Sequence, residues 1–255
     1  MTSWTGRLLA ATDAGTALTE RHRRELLRLR ASTLREVVKL WPLLDLSDVD
    51  GTSERWFDAA APAVVRGRNE AVGEAATYIN RFAIAETGIP LESATFAAPV
   101  GTTQLRSRLL GAGPWTFKQK IGQGRTVRES QAEALIRLSG EVTRTVLDGS
   151  RETVLATAAD RNYRWQRVTD GDPCAFCAML AVRGAVYQTQ MSGGFQAHRS
   201  CACSAEPVMR NSGTGTPEAE KWRGIYAEAT AGDVRDGTSN PLLNAFRRAY
   251  EAQRP

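Results

Sequence analysis

Four cysteines and one histidine fall within thirty residues of this 255-residue chain: Cys174, Cys177, His198, Cys201 and Cys203. The pattern is Cys-x2-Cys, a twenty-residue interval, then His-x2-Cys-x-Cys. Two thiolates three positions apart can be aimed at a single ion by one tight turn, and the second group supplies three more soft or borderline donors within six residues. Both halves can therefore close on a tetrahedral Zn²⁺ as a structural knuckle. Five candidates compete for four positions, so a cysteine left out would be a buried thiol or a group supporting the ligands. Free buried thiols are the plainer alternative. Disulfides would need an oxidising compartment, and the chain carries no signal of export.

The same residues exclude several chemistries. Pro173-Cys174-x2-Cys177 is half of the zinc-deaminase signature, but that signature needs an upstream His-x-Glu, and the only upstream histidine, His22, is followed by Arg23 and Arg24. A His-metal nuclease needs a catalytic histidine beside its knuckle, and His198 is spaced as a ligand. With two histidines in the chain, no serine or cysteine nucleophile has an evident base. A Ser-Lys pair drawn from Ser107, Lys118 and Lys120 is the remaining protease arrangement, with ordinary surface residues as its bland counterpart. His22, in a run of arginines, reads as an exposed surface residue. No catalytic residue is assigned, and the chain does not read as an enzyme.

The elements that must position the knuckle are mostly helical. Leu26, Leu29, Leu34, Val37, Val38 and Trp41 recur at helical spacing over 17–41, with Pro42 as the stop. Ser53 reads as the cap of a second long helix over 54–85. The preceding Asp48-Val49-Asp50-Gly51 is not a calcium loop, because Leu46 and Phe57 would fill its first and twelfth positions. Pro90 to Gly101 reads as a loop, 103–110 as a short helix, and Gly111, Gly113 and Pro114 as its break before a basic stretch. Thr126 and Glu129 form a capping-box pair at the start of the longest pattern, 126–161, with an apolar stripe of Leu135, Leu138, Val142, Val146, Val154 and Leu155. Gly140 and Gly149 mark a bend there. Alternation suggests strands at Tyr163–Val168 and Ala185–Gln188, and two terminal helices follow over 217–231 and 241–253. Trp41 and Trp56 read as apolar-face anchors, and Trp165 as packing over the knuckle.

The expected fold is thus mainly α with a small zinc-stapled α+β module, its long helices making it extended rather than compact. A helical region fills 1–161, the knuckle module 162–210 and the terminal helices 211–255. Composition is ordinary for a globular chain, with 42% hydrophobic and 24% charged residues. No uncharged run is long or apolar enough to span a bilayer, so a soluble protein with no membrane partner is expected. The net charge of +5 is concentrated centrally: twelve Arg or Lys stand against six Asp or Glu between Thr103 and Thr169. That stretch would face DNA or an acidic protein surface, or else is a solvated face in an arginine-rich chain.

One further likeness comes from the motifs themselves. The runs Arg167-Val168-Thr169-Asp170-Gly171-Asp172-Pro173-Cys174-Ala175-Phe176-Cys177, Arg183-Gly184-Ala185-Val186-Tyr187 and His198-Arg199-Ser200-Cys201-Ala202-Cys203 resemble the Mu F-like minor head proteins of tailed bacteriophages. The version carried by actinobacteriophages is the nearest in character, with Trp222–Gly232 and Ala245–Tyr250 similar too. The likeness covers about Tyr163 to Tyr250. It departs at Ala202, where that family often has arginine between the last two cysteines. The resemblance implies a structural minor capsid, or head-morphogenesis, protein. It would be made in the host cytoplasm and held in the virion, inside the capsid, with the portal protein, the major capsid protein and packaged double-stranded DNA as partners. A capsid maturation protease is the alternative it implies, and a zinc-stabilised DNA-binding protein of packaging or ejection is a further one.

Overall fold

The computed structural model describes residues 11–185, 194–209, 217–231 and 237–253. Helix α1 (Asp13–Lys39) starts where the Thr12 hydroxyl accepts from Gly15 N, and it runs into a single 3-10 turn at Trp41–Leu43 led by Pro42. Helix α2 (Val49–Thr87) is capped by Asp48, whose carboxylate accepts from Gly51 N, and not by Ser53. Ser53 lies inside the first turns, with its hydroxyl bonded back to Val49 O. The acidic turn rejected as a calcium loop is therefore the helix cap, a role short acidic side chains fill by satisfying orphan amides. Gly88, at φ 75°, ends α2 in the left-handed region.

Helix α3 (Thr102–Ala112) stops at Gly113, and Pro114 then opens a further helix, α4 (Pro114–Gly122), where the sequence suggested only a break. Proline has no amide to lose at a first helical position, and Phe117, one turn on, is buried. Helix α5 (Val127–Asp160) begins with the complete Thr126–Glu129 capping box. Its 34 residues span about 51 Å.

Helices α2 and α5 lie side by side as the spine. At one end they enclose Trp56, Leu109, Leu138 and Val142, with Trp41 packed edge-on against Trp56 at 6.1 Å. At the other end they enclose Tyr78, Phe82, Val154 and Trp165. Gly149 is a point of contact: a Cβ there would sit 2.6 Å from the Arg68 carbonyl oxygen of α2. A Gly149→Ala chain must push the spine apart. We expect it to lose about 1–3 kcal/mol, read as a lowered denaturant midpoint with unchanged slope.

His22 is not on the surface. It is 1% exposed, stacked on the Tyr78 ring at 4.2 Å, with Ser150 Oγ 3.0 Å from Nε2 and Glu74 Oε1 3.4 Å from Nδ1. Burial lowers its pKa, against the opposing pull of Glu74.

The module after α5 contains strand β1 (Arg164–Val168), helix α6 (Ala175–Val182) and strand β2 (Ser204–Val208). The two strands pair antiparallel, with Trp165 opposite Pro207 and Val168 opposite Ser204. The strand anticipated at Ala185–Gln188 falls largely on 186–193, outside the described residues. Helices α7 (Pro217–Thr230) and α8 (Pro241–Ala252) pack on α6 through Met179, Ile225, Phe246 and Tyr250, and the Tyr250 hydroxyl donates to Pro173 O at 2.6 Å. No helix among the described residues is long and apolar enough to cross a membrane.

Strand β2 carries a buried carboxyl, Glu206, which accepts from Thr19 Oγ1 and Gln166 Nε2. Desolvation raises its pKa above the ordinary 4.5, despite those bonds. The folded state therefore holds this proton more tightly than the unfolded chain, so Glu206 costs stability as pH climbs above its ordinary value. Glu206→Gln should raise the melting temperature at neutral pH, with a gain that shrinks towards pH 4. Equal melting of the two chains across that range would contradict the burial penalty.

Candidate metal centre

Helix α6 and the segment leading into β2 deliver the two halves of the cysteine cluster. Cys174 is the N-cap of α6 and Cys177 lies in its first turn, where the positive end of the helix favours a thiolate. A tight turn follows, with Cys201 N donating to His198 O at 3.2 Å and Ser200 at φ 67°. Cys201 and Cys203 then lead straight into β2. The result is two overlapping triads, Cys174–Cys177–His198 and Cys177–Cys201–Cys203, each with its donor atoms within 4.8 Å of one another. Cys177 belongs to both.

The spacing can be compared with a metal tetrahedron. Zinc–sulfur bonds of about 2.3 Å give tetrahedral edges of about 3.8 Å, slightly less when one donor is nitrogen. Cys177 Sγ and Cys201 Sγ are 3.6 Å apart, and Cys174 Sγ and His198 Nδ1 are 3.7 Å apart. The donor set fits a small, soft-ligand divalent ion. Cys177, Cys201 and Cys203 are buried, Cys174 is half-buried and His198 is exposed.

The thiols shift one another strongly. Hydrogen bonds from Cys177 and Cys203, helped by the Arg151 guanidinium, hold Cys201 well below the ordinary thiol range. Cys174 is drawn down to about 6, chiefly by its bond with Cys177. Cys177 is pushed up by the three neighbouring thiols. For Cys203 the lowering bond from Cys177 is outweighed by Cys201 and burial, and it is pushed up to about 12. Crowded sulfurs that cannot all ionise alone are what a divalent cation stabilises together.

Two buried arginines complete the centre, and neither was singled out for such a role from the sequence. Arg167 of β1 donates through Nη1 to Cys177 Sγ at 3.5 Å and towards Cys201 Sγ at 4.0 Å, and through Nη2 to Gln196 O at 2.8 Å. Arg151 of α5 donates to the carbonyls of Cys201 (2.7 Å) and Cys203 (2.8 and 3.0 Å) and to Asp148 (3.0 Å). The Phe195 ring sits under both guanidiniums, 3.7 Å from that of Arg167 and 4.7 Å from that of Arg151. Trp165 packs on Phe195, with their rings 5.6 Å apart, and Phe195 in turn packs on the buried cysteines. Three or four thiolates around a divalent ion carry net negative charge, and these cations offset it where water cannot.

The ligand loop is also fastened to α5 three turns away from Arg151. Ser200 N approaches Gly140 O at 3.4 Å, and a Cβ on Gly140 would lie 2.9 Å from Ser200 Oγ. Beside it, Arg199 faces the buried Glu141 at 3.4 Å. Gly140 and Gly149 are thus places of close approach.

The remaining candidate groups are occupied elsewhere. Lys118 pairs with Asp50, and Lys120 pairs with Glu133 at 2.9 Å. Glu74, His22 and Ser150 do line up in the order of a hydrolase triad. However, Ser150 and His22 are each 1% exposed and Ser150 lies in mid-helix, so a substrate carbonyl has no approach. Much of the central positive charge is internally paired, as in Arg106–Glu54, Arg137–Glu133 and Arg161–Asp160.

No curated protein and no solved structure matches the chain. A family model described as VG15 protein matches residues 14–229, from the start of α1 through the cysteine cluster to the end of α7. With a match that takes in the greater part of its length, the chain belongs to the VG15 protein family.

Proposed function

We propose that this chain is a structural minor capsid protein of a tailed phage, acting in head morphogenesis inside the capsid and joining portal, shell and packaged DNA. The family to which it belongs points to a phage protein, and the likeness of 163–250 to Mu F-like minor head proteins supplies the finer role. One observation carries the architectural reading: Cys177, Cys201 and Cys203 are buried, and their loop is fastened by Arg151 and Gly140 to the long helix α5. In this reading the ion is a structural Zn²⁺, with Cys177 at its centre and the other ligands drawn from Cys174, His198, Cys201 and Cys203. It fixes a rigid knob on a helical body and carries out no reaction.

Nothing favours the protease or the DNA-binding alternative to the same degree, given the closed Ser150–His22–Glu74 line and the internally paired arginines. Gradient-purified particles of the cognate phage test the proposal. The protein should sediment with heads at low copy and be captured with the portal, and it should leave the major capsid protein uncut on incubation. Recovery only from the particle-free fraction would contradict the structural role, and cleavage of the capsid protein would favour the protease.

A further inference from the structure

Beside the knuckle, α5 and the segments 96–98 and 194–196 enclose a cleft of about 570 Å³. That volume is within the usual range of ligand sites, about 300–1,000 Å³. Its wall carries Arg108, Arg144 and Arg151 against Asp148 and Glu152. Arg151 is saturated by Asp148 and the two cysteine carbonyls. Glu152 is taken by the buried Arg68 at 2.6 Å. Arg108 and Arg144 differ from these. Arg108 Nε lies 3.6 Å from Glu141, which Arg199 shares at 3.4 Å. Arg144 Nε lies 3.7 Å from Asp148 and, although buried, has no hydrogen-bond partner. Both approaches are too long for hydrogen bonds.

The cleft therefore has two guanidiniums with donors to spare, on α3 and α5, beside an apolar surface that includes Leu155 and Phe96, the latter 62% exposed. A surplus of planar N–H donors calls for an oxyanion, and an exposed ring next to it calls for an apolar group. Asp148 and Glu152 on the same wall disfavour a polyanion and leave room for one localised negative charge. We propose that this cleft binds an acidic peptide segment of a partner protein: its carboxylate is received by Arg108 and Arg144, and a neighbouring apolar side chain lies against Phe96 and Leu155. The site does not depend on where the protein resides in a particle.

The test uses the full, metal-loaded chain with nitrogen-labelled arginine. The probes are acetyl-Leu-Glu-Leu-amide, its Gln twin, and a short double-stranded DNA. The Arg108 and Arg144 Nε–H resonances should move saturably with the Glu peptide, and the Gln twin should bind about tenfold or more weakly, as expected when a charge-assisted bond becomes neutral. Arg108→Gln and Arg144→Gln chains with unchanged melting should lose that preference. Equal binding of the two peptides, unmoved arginine signals at millimolar peptide, or tighter binding of DNA with a steep salt dependence would each overturn the proposal.

Discussion

A Cys177→Ser chain loses stoichiometric metal binding, and its knuckle and terminal helices lose their protection from hydrogen exchange. Cys177 is the one residue common to both triads, fully buried and 3.6 Å from Cys201 Sγ. A serine oxygen there is a harder, shorter donor that is protonated at neutral pH, so both triads lose their shared ligand at once. Apparent binding energies of structural zinc are about 10–16 kcal/mol at pH 7, and in such sites that energy contributes to folding. The loss should be regional, because α6 carries the third core of Met179, Ile225, Phe246 and Tyr250, while the α1–α5 body has cores of its own. Exchange should therefore quicken over α6, 198–209, α7 and α8 and stay slow over most of α2. Cys174→Ser, at the half-buried edge of the cluster, should be milder. Wild-type metal content in the Cys177→Ser chain would refute the ligand assignment.

The second large effect belongs to Arg151→Met. Methionine fills much of the volume but leaves the Cys201 and Cys203 carbonyls without their donors and Asp148, 13% exposed, without its buried partner. Removing one member of a buried ion pair costs about 3–5 kcal/mol. For a chain of this size each kcal/mol moves the melting temperature by about 2–4 °C, so a drop on the order of 10 °C is expected by calorimetry. Arg151→Lys should recover part of it, since an ammonium cannot span two carbonyls and a carboxylate as a planar fork does. A melting temperature within a degree or two of the wild type for Arg151→Met would show that the clamp on α5 is dispensable.

The cysteine cluster and the capping box were legible because their chemistry is local: a few residues at fixed spacing determine what they can do. What escaped depended on the partner a residue finds far along the chain. His22 stands four residues after Leu18 and four before Leu26, on the apolar stripe of α1, yet its neighbours Arg23 and Arg24 suggested a surface. Arg151 likewise interrupts the stripe between Leu147 and Val154, a helical signal of a buried cation that a reading of hydrophobic positions alone passes over. Arg167 gave no signal, because four of the five residues of β1 are buried and both faces of the strand are covered. Strand β2 hid behind Glu206 and Pro207, residues that disfavour strands unless an edge and a buried hydrogen-bond network accommodate them. The helix α4 was masked by Pro114, a stop signal that also serves as a start.

Among the acids, Asp170 lies near enough for its charge to act on Cys203, and its Oδ1 is buried without a hydrogen-bond partner. It is the group beside which an open metal vertex would become reactive, and it makes coordination number the deciding observation. X-ray absorption on the metal-loaded full chain, with metal content measured on the same sample, tests the account most directly. About one zinc per chain is expected, four-coordinate, with sulfur dominating the shell and no oxygen ligand. A folded chain that purifies without metal, or a zinc that keeps a water ligand facing Asp170, would contradict it.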